Sequence, residues 1–218
     1  MPPPPKNSPY RLLVEGPDDQ HAVTHLMKRH GFDWDDVRLT RPFIESSGGV
    51  SELLDSTRRS TDAKSYSRLG LVIDADLKVT QRWAQIQGCF SNLGIPLPDA
   101  PEAGGTIVEL QQAGLKLTRL GFWLMPDNQQ PGILEDFLGK LVPAGDPCWA
   151  YADEVATQSR ALGSRLAEKD HAKGRIHTWL AWQESPGLPF GTALTAHVLG
   201  HDSPEALRFV AWFQRLFG

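Results

Sequence analysis

Leu71-Val-Ile-Asp-Ala-Asp76 carries an apolar run straight into two acids spaced by one residue. Side chains at i and i+2 share a strand face, so Asp74 and Asp76 are expected to project together at a buried strand's end. Two carboxylates held that close repel each other unless a proton or cation sits between them. Oxygen donors of this kind suit Mg²⁺ or Mn²⁺. Taken alone, the same residues more simply describe a strand running into an acidic turn.

The segments before it repeat the pattern. Arg11-Leu-Leu-Val-Glu-Gly16 is a short apolar run ending on Glu15, and Gly16-Pro17 breaks it. Asp18 and Asp19 then open a helix whose Ala22, Val23, Leu26 and Met27 recur at helical spacing until Gly31. Asp19 lies four residues before Val23, so it points inward, towards the strand end; Asp18 is the expected cap. Residues 37–45 read as a second strand, residues 46–49 as a glycine turn and residues 50–60 as a short helix. Residues 69–76 form the third strand, apolar enough to be covered on both faces. A helix over 80–93 follows. Strand and helix alternate throughout, which predicts an α/β domain with a mainly parallel sheet. Sites in such sheets form beyond the carboxyl ends of the strands. Glu15, Asp74 and Asp76 all fall on that edge.

Residues 106–110 and 118–125 read as a hairpin, its second arm running into Asp127. A helix is expected to start at Pro131, with Ile133, Leu134, Phe137, Leu138 and Leu141 inside. Glu135 and Asp136 fall off that stripe, where complementing the helix dipole is their simplest role. From residue 149 the chain reads as helical, with an amphipathic segment over 153–169, a basic patch at 171–177 and short helices over 192–199 and from Ser203 on. The last helix is so apolar that it is expected to be buried, or docked on a partner. The domain plan is a disordered Pro-rich lead (1–9), an α/β domain (10–145) and a helical C-terminal extension packed on it (146–218).

Bulk properties narrow the classes. With 218 residues, seven Trp and nine Phe, the chain can bury a substantial core. A formal net charge of −4 argues against holding nucleic acid by overall charge. Acids clustered around divalent ions remain compatible with a phosphate-bearing substrate. Cys89 and Cys148 have no zinc-like spacing and are expected to be buried free thiols in a reducing cytoplasm. Neither a signal sequence nor a membrane-length apolar run stands out.

Together, Val-Glu-Gly with Asp19 four residues on, a glycine turn, and Asp-x-Asp at the third strand's end resemble the Toprim domain of topoisomerases, primases and certain nucleases. The resemblance covers about residues 10–140 and implies a Toprim-like, Rossmann-like fold. It implies divalent-metal binding by Glu15, Asp74 and Asp76. The OLD-type nucleases place an acid like Asp19 at a second metal, and Met125-Pro-Asp-Asn with Gly132-Ile-Leu-Glu-Asp is similar to their later acidic cluster. Asp127, Glu135 and Asp136 thereby become second-metal candidates. No strand-passage domain, tyrosine nucleophile setting, zinc module or fused ATPase accompanies them, so the chain looks like a small stand-alone OLD-like protein. Lys173-x-Arg175-Ile-His177 and the following residues resemble a stretch shared by such proteins.

The expected function is a Mg²⁺- or Mn²⁺-dependent nuclease acting on DNA or RNA by a one- or two-metal mechanism. Two ions about 4 Å apart would activate water and stabilise the leaving oxygen. Glu15, Asp74, Asp76 and Lys173 are the catalytic candidates, with Lys173 or Arg175 on the phosphate. Lys173, Arg175 and His177 are the nucleic-acid contacts. Residues 160–177 hold five Lys/Arg against two acids, which also suits a solvated helix face. An ATPase partner in phage defence and a homodimer through the last helix are the expected partners. The competing readings are a non-catalytic metal- and nucleic-acid-binding regulatory module of an ATPase-containing complex, and nucleotidyl or phosphoryl transfer on the same metal site.

Overall fold

The structure is a computed structural model, described over residues 7–36 and 40–218. Five strands form one sheet in the order β2-β1-β3-β5-β4. They are β1 (Tyr10–Val14), β2 (Phe43–Ser46), β3 (Arg68–Asp74), β4 (Thr106–Glu109) and β5 (Arg119–Met125). The pairs β1–β2, β1–β3 and β3–β5 are parallel, and β4 is antiparallel to β5. Helices cover both faces, so the architecture is α/β with a mostly parallel sheet. Among the described residues no helix is long and apolar enough to cross a membrane.

Strand parity divides the core. Leu12, Val14, Val72 and Trp123 face one side with helix α1 (Pro17–Arg29) and helix α9 (Pro204–Phe217). Leu13, Leu71, Ile73, Phe122 and Leu124 face the other with α4 (Val79–Ser91). On the first side, Phe209, Trp212, Phe213 and Leu216 of α9 are completely buried. That helix comes close because Gly70 and Gly121 pair across β3 and β5 beneath Leu216. A Cβ on Gly121 would stand 2.6 Å from Leu216 Cδ2. The apolar face of the last helix is buried, as expected, while Leu207, on its outer side, is 49 % exposed.

Several boundaries differ from expectation, each for a local reason. The second strand begins at Phe43, and residues 37–39 lie outside the described residues. Pro42 just before it has no N–H to give a ladder. The helix expected over 50–60 is two, α2 (Val50–Leu53) and α3 (Ser56–Ser65). Asp55 divides them by accepting the Arg58 N–H at 3.0 Å as a new N-cap. Helix α5 (Leu134–Gly139) starts three residues after Pro131, because Gly132, at φ 146°, is held by Asp76. The segment over 153–169 breaks after α6 (Pro147–Ala161) at Gly163, φ 90°, before a 3₁₀ turn leads into α7 (His171–Ala181). The expected 192–199 helix is α8 (Phe190–Thr195), which ends ahead of His197 at φ 64°. Of the Pro-rich lead, residues 1–6 lie outside the described residues, while the Pro9 carbonyl already accepts the Ser67 N–H at 2.9 Å. Cys89 is buried, but Cys148 is exposed.

Candidate functional site at the carboxyl edge of the sheet

The chain leaves β1 through α1 on one face of the sheet and leaves β3 through α4 on the other. The carboxyl ends of these neighbouring parallel strands therefore flank a crevice, the place where open α/β sheets bind ligands. Glu15 immediately follows β1 and Asp74 ends β3. A cleft of about 910 Å³ opens over them.

Each acid is fixed by backbone. Glu15 Oε1 accepts the Asp74 N–H at 2.9 Å. Asp74 Oδ1 accepts the Leu134 N–H, at the start of α5, at 2.9 Å. Asp19 Oδ2 accepts the Gly16 N–H at 3.0 Å, so Asp19, not Asp18, closes the helix start. Its inward direction is nevertheless as expected, with 8 % of the residue exposed. Asp136 closes α5 in the same way, accepting the Ile133 N–H at 2.9 Å. Glu135 was expected on the outside of that helix and is buried instead.

Burial dominates the electrostatics. It raises Asp74 to about 9, with Glu15, Asp19, Glu135 and Asp76 adding repulsion. Asp19 is raised to about 7 by burial, partly offset by its Gly16 hydrogen bond and reinforced by Glu15 and Glu135. Glu15 rises through burial, against the Asp74 hydrogen bond and the charges of Arg82 and Lys173. Glu135 rises for the same first cause, against its own backbone N–H and the charges of Lys173 and His177. Four acids from two strand ends and two helix starts thus oppose one another's ionisation.

Of the residues singled out from sequence, Glu15, Asp74, Asp76, Glu135, Asp136, Lys173 and Arg175 line the cleft; Asp19, Asp127 and His177 do not. Asp127 spends Oδ1 on the N–H groups of Gln129 and Gln130, at 3.0 and 2.8 Å, in a local turn. His177 stacks on Phe190 with centroids 5.2 Å apart. Arg175 is largely engaged, lying 3.8 Å over the Trp149 ring and 3.4 Å from Asp153. Lys173 is half-exposed and only loosely paired, 3.9 Å from Asp170. Asp76 does not stand beside Asp74 on a strand. β3 ends at Asp74, Asp76 adopts φ 53°, and its carboxylate pairs with Arg82. Sequence reasoning missed Arg82. Its signal is a cation four residues before Ile86, on the buried line of α4.

Among the described residues no three His, Cys, Asp or Glu side chains converge on one ion position. Mg²⁺ rarely needs such a cage, since it binds one or two carboxylates and completes its shell with water and substrate phosphate. The Glu15–Asp74 pair fits that demand: its donors are all oxygen, and the repulsion between its carboxylates is relieved by a proton or a cation.

The chain belongs to the DUF3226 family, described as proteins of unknown function, whose model matches residues 9–218. No curated protein and no solved structure matches it.

Proposed function

We propose that this protein is a Toprim-like, Mg²⁺- or Mn²⁺-dependent phosphodiesterase acting on nucleic acid. The observation that carries the reading is the convergence of half-buried Glu15 and Asp74 and buried Glu135, mutually repelling, in one cleft with Lys173. Glu15 and Asp74 would hold the ion, which when bound supplies Lewis acidity to a phosphoryl oxygen and acidifies water. Asp19 stands behind them, fixing the loop that carries Glu15. Leu134 N–H orients one Asp74 oxygen and leaves the other free. Lys173 faces the acids across the cleft and is placed to balance charge on a phosphate. Lys140 and Lys169 line the same cleft, Lys169 between Glu168 and Asp170, and would be further contacts for a backbone.

That no closed three-acid cage forms among the described residues favours one second reading. In it the ion is completed by a bound strand or a partner such as an ATPase subunit, and the protein binds without cutting. Incubation of labelled DNA and RNA with the protein in Mg²⁺ and in Mn²⁺ separates the two. The nuclease reading expects cleavage that Asp74→Asn and Glu15→Gln reduce to background. Metal-dependent binding without cleavage would favour the second, and cleavage retained by Asp74→Asn would sink the mechanism.

A further inference from the structure

The two acids of Asp74-Ala-Asp76 are two residues apart and line the same cleft, Asp76 more exposed at 56 %, yet they engage different partners. Asp76 is in the left-handed region, at φ 53°. Its N–H donates to the Gly132 carbonyl at 2.9 Å, and its own carbonyl accepts the Gly132 N–H at 2.8 Å. Both backbone groups are thereby pinned to the loop before α5. The side chain turns to α4, where it meets the guanidinium of Arg82.

Arg82 is a buried cation with no spare arm. Its side chain is 8 % exposed. Nε donates to the Asp74 carbonyl at 2.8 Å, one terminal nitrogen donates to Gln85 Oε1 at 2.8 Å, and the other engages Asp76. A guanidinium so placed cannot reach a substrate. Left without Asp76 it would be an uncompensated buried charge, which is expensive. Its hold on the Asp74 carbonyl fixes, from behind, the residue whose carboxylate faces Glu15 and Glu135.

We propose that Asp76 is the counter-ion of Arg82 rather than a metal ligand, and that Arg82 is a positioning residue that sets Asp74. The inference rests on the metal-site reading above, and it divides the Asp-x-Asp pair: Asp74 serves the ion and Asp76 serves the arginine. Arg82 and Asp76 form one unit, so removing both leaves the net charge unchanged but deprives Asp74 of its support.

Mn²⁺ titration by calorimetry, with thermal melts, tests this on the full chain as wild type, Asp74→Asn, Asp76→Asn, Arg82→Gln and the Arg82→Gln/Asp76→Asn double variant. Asp76→Asn retains the left-handed turn, which Asn tolerates. It is expected to keep Mn²⁺ affinity within about threefold, while Asp74→Asn loses at least about tenfold. The charge-neutral double variant is expected to bind at least about tenfold more weakly than wild type. In the melts the double variant falls no further than the worse single one, as an interacting pair requires. Loss of about tenfold or more in Asp76→Asn would make Asp76 a ligand and overturn the proposal. So would a double variant that binds like wild type. If Arg82→Gln fails to fold, the Asp76→Asn titration decides alone. A flat wild-type titration would overturn the metal reading itself, and that single curve distinguishes the two failures.

Discussion

Asp74 is held at three atoms: its N–H by Glu15, its carbonyl by Arg82 and one carboxylate oxygen by Leu134. Such a residue cannot swing away from its neighbours, so repulsion must be met by a proton or a cation. A free aspartate ionises near pH 3.9, against about 9 for Asp74 and about 7 for Asp19 in the fold. Between those limits the native state binds more protons than the unfolded chain, so stability falls as pH rises. The sign is opposite to that of a salt-bridged carboxylate. In EDTA the melting temperature is therefore expected to fall by several degrees between pH 5.5 and 8.5, at about 2–4 °C per kcal/mol for a chain of this size. Asp74→Asn should flatten most of that slope and raise the melting temperature at pH 8, and under the proposed nuclease function it should also abolish cleavage. Melts across this pH range check it, and an unchanged slope in the variant would contradict the assignment of Asp74.

Elements place these residues, and their legibility differed. β1, α1, β3, the hairpin and α9 could be read because apolar spacing determines them, and tertiary packing agrees with it. The same spacing put Glu15, Asp19 and Asp74 in the right neighbourhood. What could not be read depended on single backbone choices. The left-handed turn at Asp76 undoes the i, i+2 rule, and Asp55 cuts one helix into two. Asp136 and Asp127 turned their carboxylates to nearby N–H groups, a local contest that residue type alone does not settle. The burial of Glu135 could not be read locally, because α7 of the distant C-terminal part packs on α5. The glycine seat under α9 gives a test at this scale. Gly121→Ala should cost about 1–3 kcal/mol by overpacking against Leu216. Gly145→Ala, where no atom lies within 4 Å of the added carbon, carries only a backbone penalty, at φ 78°. Denaturant unfolding of the two variants compares crowding with conformation, and the larger loss is expected at Gly121.

For the molecule as a whole, charge is divided in a way that the net −4 conceals. Glu15, Asp74, Asp76, Glu135 and Asp136 share one cleft with Lys140, Lys169 and Lys173. If a nucleic-acid backbone lies along these lysines, each contact releases about one counterion. Lys173→Gln should then lower the slope of log affinity against log salt by about one and weaken binding evenly across sequences. Anisotropy of a labelled oligonucleotide over a range of salt measures this, and an unchanged slope would remove Lys173 from the binding surface. The position of α9 has another consequence, for how the protein is made. Trp123 and the Gly70–Gly121 seat belong to strands synthesised long before the helix that covers them. While α9 is still in the ribosomal tunnel, the emerged sheet lacks one of its covers. Until that helix emerges, the nascent chain carries that apolar face open, a natural substrate for a holding chaperone.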